Sequence, residues 1–165
     1  GTLNVLECLK FQKKNSVSVL ITSDKSYKNL ETKKGYKEND ALGGVDPYGA
    51  SKSAADIAIS SYIKSYFSSG VKKKIAIARA GNVIGGGDWS EDRLLADCFK
   101  HWLKNKKVNI RNPYSTRPWQ HVIDVINGYT KLAIKLKKNK KLHGNAFNFG
   151  PQNLKKIGLK IFFWR

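Results

Sequence analysis

The chain has 165 residues, of which 41% are hydrophobic, and carries a formal net charge of +19. That length and apolar content allow one domain with a real core. No apolar run reaches the ~18 residues a membrane-spanning helix needs, and the first residue is Gly, with no secretory-signal pattern ahead of the first helix.

Leu3, Leu6 and Leu9 recur at helical spacing, and Lys13-Lys14-Asn15 marks a helix end. Val17 to Thr22 is a short apolar run of the kind that forms a buried parallel strand. A long polar loop follows, then a helix expected over 48–67 and stopped by Gly70. A second buried strand is expected over 74–80, followed by a glycine-rich loop from Gly81 to Gly87. Beyond it the pattern predicts a helix over 92–104, a strand near 108–111, a helix over 122–137 and a last strand over 146–149. Strand and helix alternate, so the expected fold is α/β, a doubly wound parallel sheet with helices on both faces. Ligands then gather beyond the carboxyl ends of the strands, where Ser23, Asp24, Gly81 and Asn82 fall.

Cys8 and Cys98 each sit in an apolar, helix-like stretch and read as buried thiols. His101, His121 and His143 lack the paired spacing of a zinc site, so no metal is implied. The charge admits two readings, a nucleic-acid surface or a lysine coat on an enzyme. Arg79, Arg93, Arg111 and Arg117 fall in one central stretch, whereas the lysines form scattered tracts such as Lys72 to Lys74 and Lys135 to Lys141. Arg is the preferred fork for a diphosphate and loose Lys runs are usually solvated. No nucleic-acid or membrane partner is therefore expected.

Three segments carry chemistry: TSDK (Thr22 to Lys25) ending a strand, YGASK (Tyr48 to Lys52) opening a helix, and ARAGNVIGGGDW (Ala78 to Trp89) ending another strand. Tyr48 and Lys52 share one helical face. A free phenol has a pKa near ~10, too high for a base at neutral pH, and a nearby ammonium favours the phenolate. Bringing that value to neutrality takes roughly 4 kcal/mol of differential stabilisation. Ser23 could hydrogen-bond the same substrate hydroxyl. A bare Y-x-x-x-K spacing is weak in a lysine-rich chain; Ser23 upstream at a strand end is what lends it weight.

This arrangement, together with ENDALGGVDPYGASK, EDRLLADC, IRNPYSTRPWQHV and FNFGP, resembles the extended short-chain dehydrogenases of the NAD-dependent epimerase/dehydratase family. Within that family it is most similar to the branch that dehydrates CDP-glucose, over residues 1 to 151. The resemblance implies an enzyme with tightly bound NAD, a nucleotide-sugar substrate, a cytoplasmic location and a homodimeric parent. It implies Ser23, Asp24, Lys25, Tyr48 and Lys52 as catalytic residues, with Tyr48, Lys52, Ala80 and Val83 touching the cofactor. Asp24 would protonate the departing hydroxyl, and Lys25 stands where the dTDP-glucose relatives carry a Glu base. Lys25 could act as base at carbon 5 or stabilise the enolate; both roles stay open. Asn82, Arg93, Asn112 and Arg117 would hold the substrate. Pro113 and Trp119 would shape the nucleotide pocket, although Trp119 and Trp89 fit simple packing as well. His121 reads as a loop-orienting hydrogen bonder. Tyr27, Asp46 and Asp88 fit turn or packing roles as well as substrate contact.

The family's G-x-x-G-x-x-G turn, which lets a backbone approach a pyrophosphate, is absent, and Gly85-Gly86-Gly87 lies in the substrate half. Residues 1–151 are thus expected to be the middle and later part of a dehydratase, with part of a smaller substrate domain and without the first dinucleotide-binding half. Residues 152–165 form an atypical tail, for which frame slippage is one explanation.

Overall fold

The computed structural model describes residues 1–32, 34–110 and 112–151. Helix α1 (Thr2–Phe11) leads into strand β1 (Ser16–Ile21), which ends in a single 3-10 turn over Asp24–Ser26. After a loop come helix α2 (Pro47–Tyr66), strand β2 (Lys73–Ala80) and the two-residue strand β3 (Val83–Ile84). Helix α3 (Leu94–Trp102), short strand β4 (Gln120–His121), helix α4 (Val122–Lys138) and strand β5 (Ala146–Phe149) follow.

Strands β1, β2 and β5 form a parallel sheet in that order. Ser16 stands opposite Lys73 and Ile21 opposite Ala78 on one side of β2. Ile77 stands opposite Ala146 and Ala80 opposite Phe149 on the other. Parallel neighbours need long crossovers, and α2 supplies the one between β1 and β2. Strands β3 and β4 make a separate parallel pair, Val83 opposite Gln120, beyond the carboxyl end of β2.

The centre of strand β2, Ile75 to Ala78, is apolar because helices cover both of its faces. Ile75 and Ile77 pack with Leu6 of α1 and with Ile59, Ile63 and Phe67 at α2. Ala76, facing the opposite way, packs with Leu132 and Leu136 of α4. The sheet is thus covered on both sides, as the alternation of elements requires. Truncating a fully buried member such as Leu6 to Ala costs about 2–5 kcal/mol.

The start of α2 is set by Asp46, whose carboxylate accepts the Gly49 amide at 3.0 Å, with Pro47 in the first turn. Ser53, Asp56, Ile59 and Ile63 then recur every three or four residues on its buried face. Gly70 ends the segment in the left-handed region, at φ +57, where a Cβ would stand 2.7 Å from the His143 ring. His143 Nδ1 accepts the Ile75 amide at 2.9 Å and Nε2–H donates to the Phe67 carbonyl at 2.8 Å. The imidazole therefore stitches the end of α2 to the start of β2.

The helices and the four-residue last strand form close to their expected bounds, but residues 108–110 form no strand, and Arg111 lies outside the described residues. Val108 and Ile110 are only half-buried, and Asn112-Pro113 closes the run. Two inward side chains give too little burial to hold a strand on the sheet. Helix α3 begins at Leu94 because Asp92 takes a left-handed φ of 58. Among the described residues no helix is long and apolar enough to cross a membrane.

Candidate active site

The site begins where β1 stops. Ser23 is buried, and its hydroxyl oxygen accepts the Lys25 amide at 3.2 Å, capping the turn Asp24–Ser26. The same hydroxyl donates to Asp24 Oδ1 at 3.1 Å. This turn is wedged between the other two segments. A Cβ built on Gly49 would stand 3.1 Å from the Lys25 carbonyl, and one on Gly81 would stand 3.4 Å from Asp24 Oδ2. Ser53, next to Lys52, donates to the Ser26 carbonyl at 2.8 Å and accepts the Gly44 amide at 2.9 Å. Ser23-Asp24-Lys25, the start of α2 and the end of β2 therefore meet at the carboxyl edge of the sheet, where ligands of open α/β sheets bind.

Tyr48 and Lys52 lie on one face of α2, with the Lys52 ammonium 5.6 Å from the centroid of the Tyr48 ring. The Tyr48 ring is 56% exposed, so a ligand can reach the phenol from outside the sheet. Asp46 serves as the helix cap, and His121 likewise caps α4, its Nδ1 accepting the Ile123 amide at 3.2 Å.

Arg79 stands apart from the expectation that the central arginines bind a diphosphate. Its side chain is only 5% exposed and faces back into the fold. Nε and Nη2 each donate to Asp56 at 2.8 Å, and Nη1 donates to the Tyr27 hydroxyl and the Glu38 carbonyl, both at 2.8 Å. Burial opposes the charge, but the hydrogen bonds to Asp56 and Tyr27 outweigh it and hold the guanidinium protonation constant above its ordinary value. Asp56 also accepts from Thr22 Oγ1 at 3.0 Å, directly before Ser23. Tyr27, stacked on Tyr36, donates onward to Asn148 of β5 at 2.7 Å, so it is a packing residue. Asp56 was invisible as a functional position. The signal was an arginine directly after the apolar run Ile75 to Ala78 of a buried strand, which demands a buried counter-ion.

A second feature opens beyond β2. A cleft of about 260 Å³ is lined by Asn82, Val83, Arg93, Arg117 and Trp119, among others. It joins three of the four expected substrate-binding residues. Arg93 lies 3.6 Å from Asp88, both more than half exposed, and Arg117 donates to the Thr116 carbonyl. Hydrogen bonds from Ser90, then the charge of Arg93, hold the Asp88 carboxyl below its usual range. Asn112 is exposed and does not line the cleft; Ala80 is buried at the end of β2. Trp89 is 56% exposed rather than packed in the core.

A parallel sheet with helices on both faces and a Ser/Tyr/Lys constellation at its carboxyl edge defines an extended short-chain dehydrogenase type of protein. The chain belongs to the NAD dependent epimerase/dehydratase family, which matches residues 1–150. It is 43% identical over 157 residues to CDP-glucose 4,6-dehydratase of Salmonella typhimurium, covering 93% of this chain and 44% of that enzyme. It is 28% identical over 131 residues to dTDP-D-glucose 4,6-dehydratase of Dictyostelium discoideum, 79% of this chain and 28% of the relative. The fold resembles dTDP-glucose 4,6-dehydratase of Bacillus anthracis solved with NAD, at TM-score 0.73 and 25% identity over 92% of this chain and 46% of that one. It also resembles UDP-glucuronic acid 4-epimerase of Bacillus cereus, at TM-score 0.77 and 24% identity over 92% and 45%. The chain spans less than half the length of these relatives.

Proposed function

We propose that this chain carries the acid–base and sugar-binding part of a CDP-glucose 4,6-dehydratase. The observation that supports it most is the turn Asp24–Ser26, packed against Gly49 at the start of α2 and Gly81 at the end of β2, which brings the Ser23-Asp24-Lys25 segment beside the helix that carries Tyr48 and Lys52. The identity of 43% with the Salmonella enzyme favours CDP-glucose over other nucleotide sugars.

The residues fit the nicotinamide end of NAD: an exposed phenol stands beside an ammonium near the end of β2. The pyrophosphate-binding glycine turn would lie outside residues 1–151. NAD, when bound, would accept a hydride from sugar carbon 4 and return it to carbon 6. Tyr48 takes the carbon-4 hydroxyl proton, and Lys52 favours the phenolate that accepts it. Ser23 orients that hydroxyl. Asp24 protonates the hydroxyl leaving carbon 6, and Lys25 removes the carbon-5 proton or stabilises the enolate that results. Arg93, Asn82 and Arg117 hold the diphosphate and sugar, arginine being suited to a bidentate grip.

The test is turnover of CDP-glucose by the intact enzyme, with UDP- and dTDP-glucose as comparisons. A 4-keto-6-deoxy product preferred from the CDP sugar is expected, and Tyr48→Phe should abolish it with the fold unchanged by circular dichroism. Release of a 4-epimer would overturn the dehydratase reading. Undiminished turnover in Tyr48→Phe would overturn the residue assignment.

A further inference from the structure

The lysine tracts scattered along the sequence are gathered by the fold. In this parallel α/β arrangement the strands start, and α1, α2 and α4 end, at the pole opposite the candidate site. Lys10, Lys13 and Lys72 line one open cleft of about 560 Å³ at that pole, with Lys73 buried at its wall. Lys73 Nζ donates to the Lys14 carbonyl and to Gln12, and Lys74 Nζ donates to the Lys137 carbonyl at the end of α4. Lys138, Lys140 and Lys141 follow directly. No acidic residue lines the cleft; Glu7, one turn back on α1, is already paired with Lys10 at 3.2 Å.

Apolar groups protrude inside this basic rim. Phe11, at the end of α1, is 79% exposed, and Val71, in the loop before β2, is 64% exposed. Both line the same cleft, together with Tyr66, against whose ring the Lys10 ammonium sits at 4.2 Å. Exposed apolar tips ringed by lysine match the interface of an anionic bilayer, with tips in the acyl boundary and ammonium groups among the headgroups.

We propose that this pole docks peripherally on an anionic phospholipid surface. A nucleic acid is favoured less, for three reasons. The arginines of the described residues lie elsewhere: Arg79 is buried, and Arg93 and Arg117 line the cleft beyond β2. Helix C-termini face this pole, so it lacks the helix N-terminal amides that fix a nucleic-acid backbone in register, which a fluid headgroup layer does not require. An aliphatic tip such as Val71 gives nothing to a base, whereas it partitions readily into lipid. The diffuse field of lysines suits a charged membrane plane, at about fivefold in binding per residue near the surface.

The test is co-sedimentation of the chain with vesicles of equimolar phosphatidylcholine and phosphatidylglycerol. Binding is expected there and not with phosphatidylcholine alone. It should fall as salt rises from about 0.1 M to about 1 M, which shortens screening from about 10 Å to about 3 Å. Lys13→Glu with Lys72→Glu should weaken binding by about 25-fold or more. Lys28→Glu with Lys37→Glu, in the loop between β1 and α2, outside the basic cleft and equal in net charge change, should leave it within about twofold. Phe11→Ser with Val71→Ser should weaken it by about tenfold or more while preserving salt dependence. Each variant is first checked for an unchanged melting curve. Equal loss in both lysine pairs, absence of vesicle binding, or tighter binding to a duplex or single-stranded oligonucleotide than to vesicles would each overturn the proposal.

Discussion

Arg79 grips Asp56 through two parallel contacts of 2.8 Å, with neither side chain more than 5% exposed. Both groups would be costly alone in the interior, and each is satisfied by the other and by Thr22 and Tyr27. Asp56→Ala leaves the guanidinium buried without its counter-charge and should cost about 3–5 kcal/mol. Asp56→Asn keeps one acceptor and should cost less. Urea unfolding of both variants measures this. If Asp56→Ala unfolds at the wild-type midpoint, the pair contributes nothing to holding Thr22 and α2 together.

A second prediction concerns the contact between α1 and α2. The Tyr62 hydroxyl donates to Glu7, which also pairs with Lys10. The Glu7 carboxylate raises the Tyr62 phenol to about 12 from 10.0, and the phenol's hydrogen bond, more than Lys10, lowers Glu7. A phenol held protonated in the fold stabilises it below its ordinary value, and the benefit disappears as pH rises through the raised one. Stability should therefore decline between about pH 10 and about pH 12. Glu7 has the opposite sign: its contribution is present above 4.5 and is lost as pH falls through its lowered value. Tyr62→Phe should flatten both limbs in denaturation measured against pH. Tyr27 and Tyr129 also titrate late because burial pushes them up, so the wild-type minus variant tyrosinate absorbance isolates Tyr62.

The glycines separate into those the fold needs and those it tolerates. A Cβ on Gly44 would stand 2.0 Å from the carbonyl carbon of Gly49 and 2.3 Å from the amide of Ala50, backbone that cannot move without shifting the start of α2. Gly44→Ala should cost about 3 kcal/mol and displace Tyr48. At Gly86, in the glycine-rich loop, a Cβ meets nothing within 4 Å and no positive φ is required. Gly86→Ala should change thermal stability by less than about 0.5 kcal/mol. Equal losses at the two positions would mean the close approach at Gly44 is relieved by movement.

The pattern of the chain made the sheet legible because β2 is buried along almost its whole length between covering helices, whereas the apolar run Val17 to Thr22 falls on β1 at the sheet edge, with Val17 and Ile21 exposed. It misled at 108–110, where an alternation of two apolar residues resembles a strand locally but lacks a partner to make it one. Arg79 shows the limit more sharply. Its neighbourhood in sequence, beside Gly81 and Asn82, suggested a ligand, while strand alternation turns its side chain toward Asp56 of α2. Asn82 and Arg117 share a cleft for a reason no local pattern contains: the β3–β4 pair brings residue 120 beside residue 83. Likewise the lysines of 72–74 and 137–141 look unrelated until β2 and α4 are packed together.

Lys25 offers the sharpest division of the proposed reaction. It is exposed, follows Asp24 in the capped turn, and its backbone carbonyl is pressed toward Gly49, so its side chain can vary without loosening the turn. In the proposed cycle Tyr48 acts at carbon 4 in the first half, whereas Lys25 acts at carbon 5 only afterwards. Lys25→Ala in the intact dehydratase should therefore still develop reduced-nicotinamide absorbance on adding CDP-glucose, yet form the final product about 10²- to 10⁴-fold more slowly. Tyr48→Phe should lose the absorbance itself. Lys25→Arg keeps a cation but not a basic amine, so partial recovery of product would mark enolate stabilisation and none would mark proton removal. Wild-type product formation by Lys25→Ala would remove this residue from the mechanism, and loss of the absorbance would move its role to the first hydride transfer.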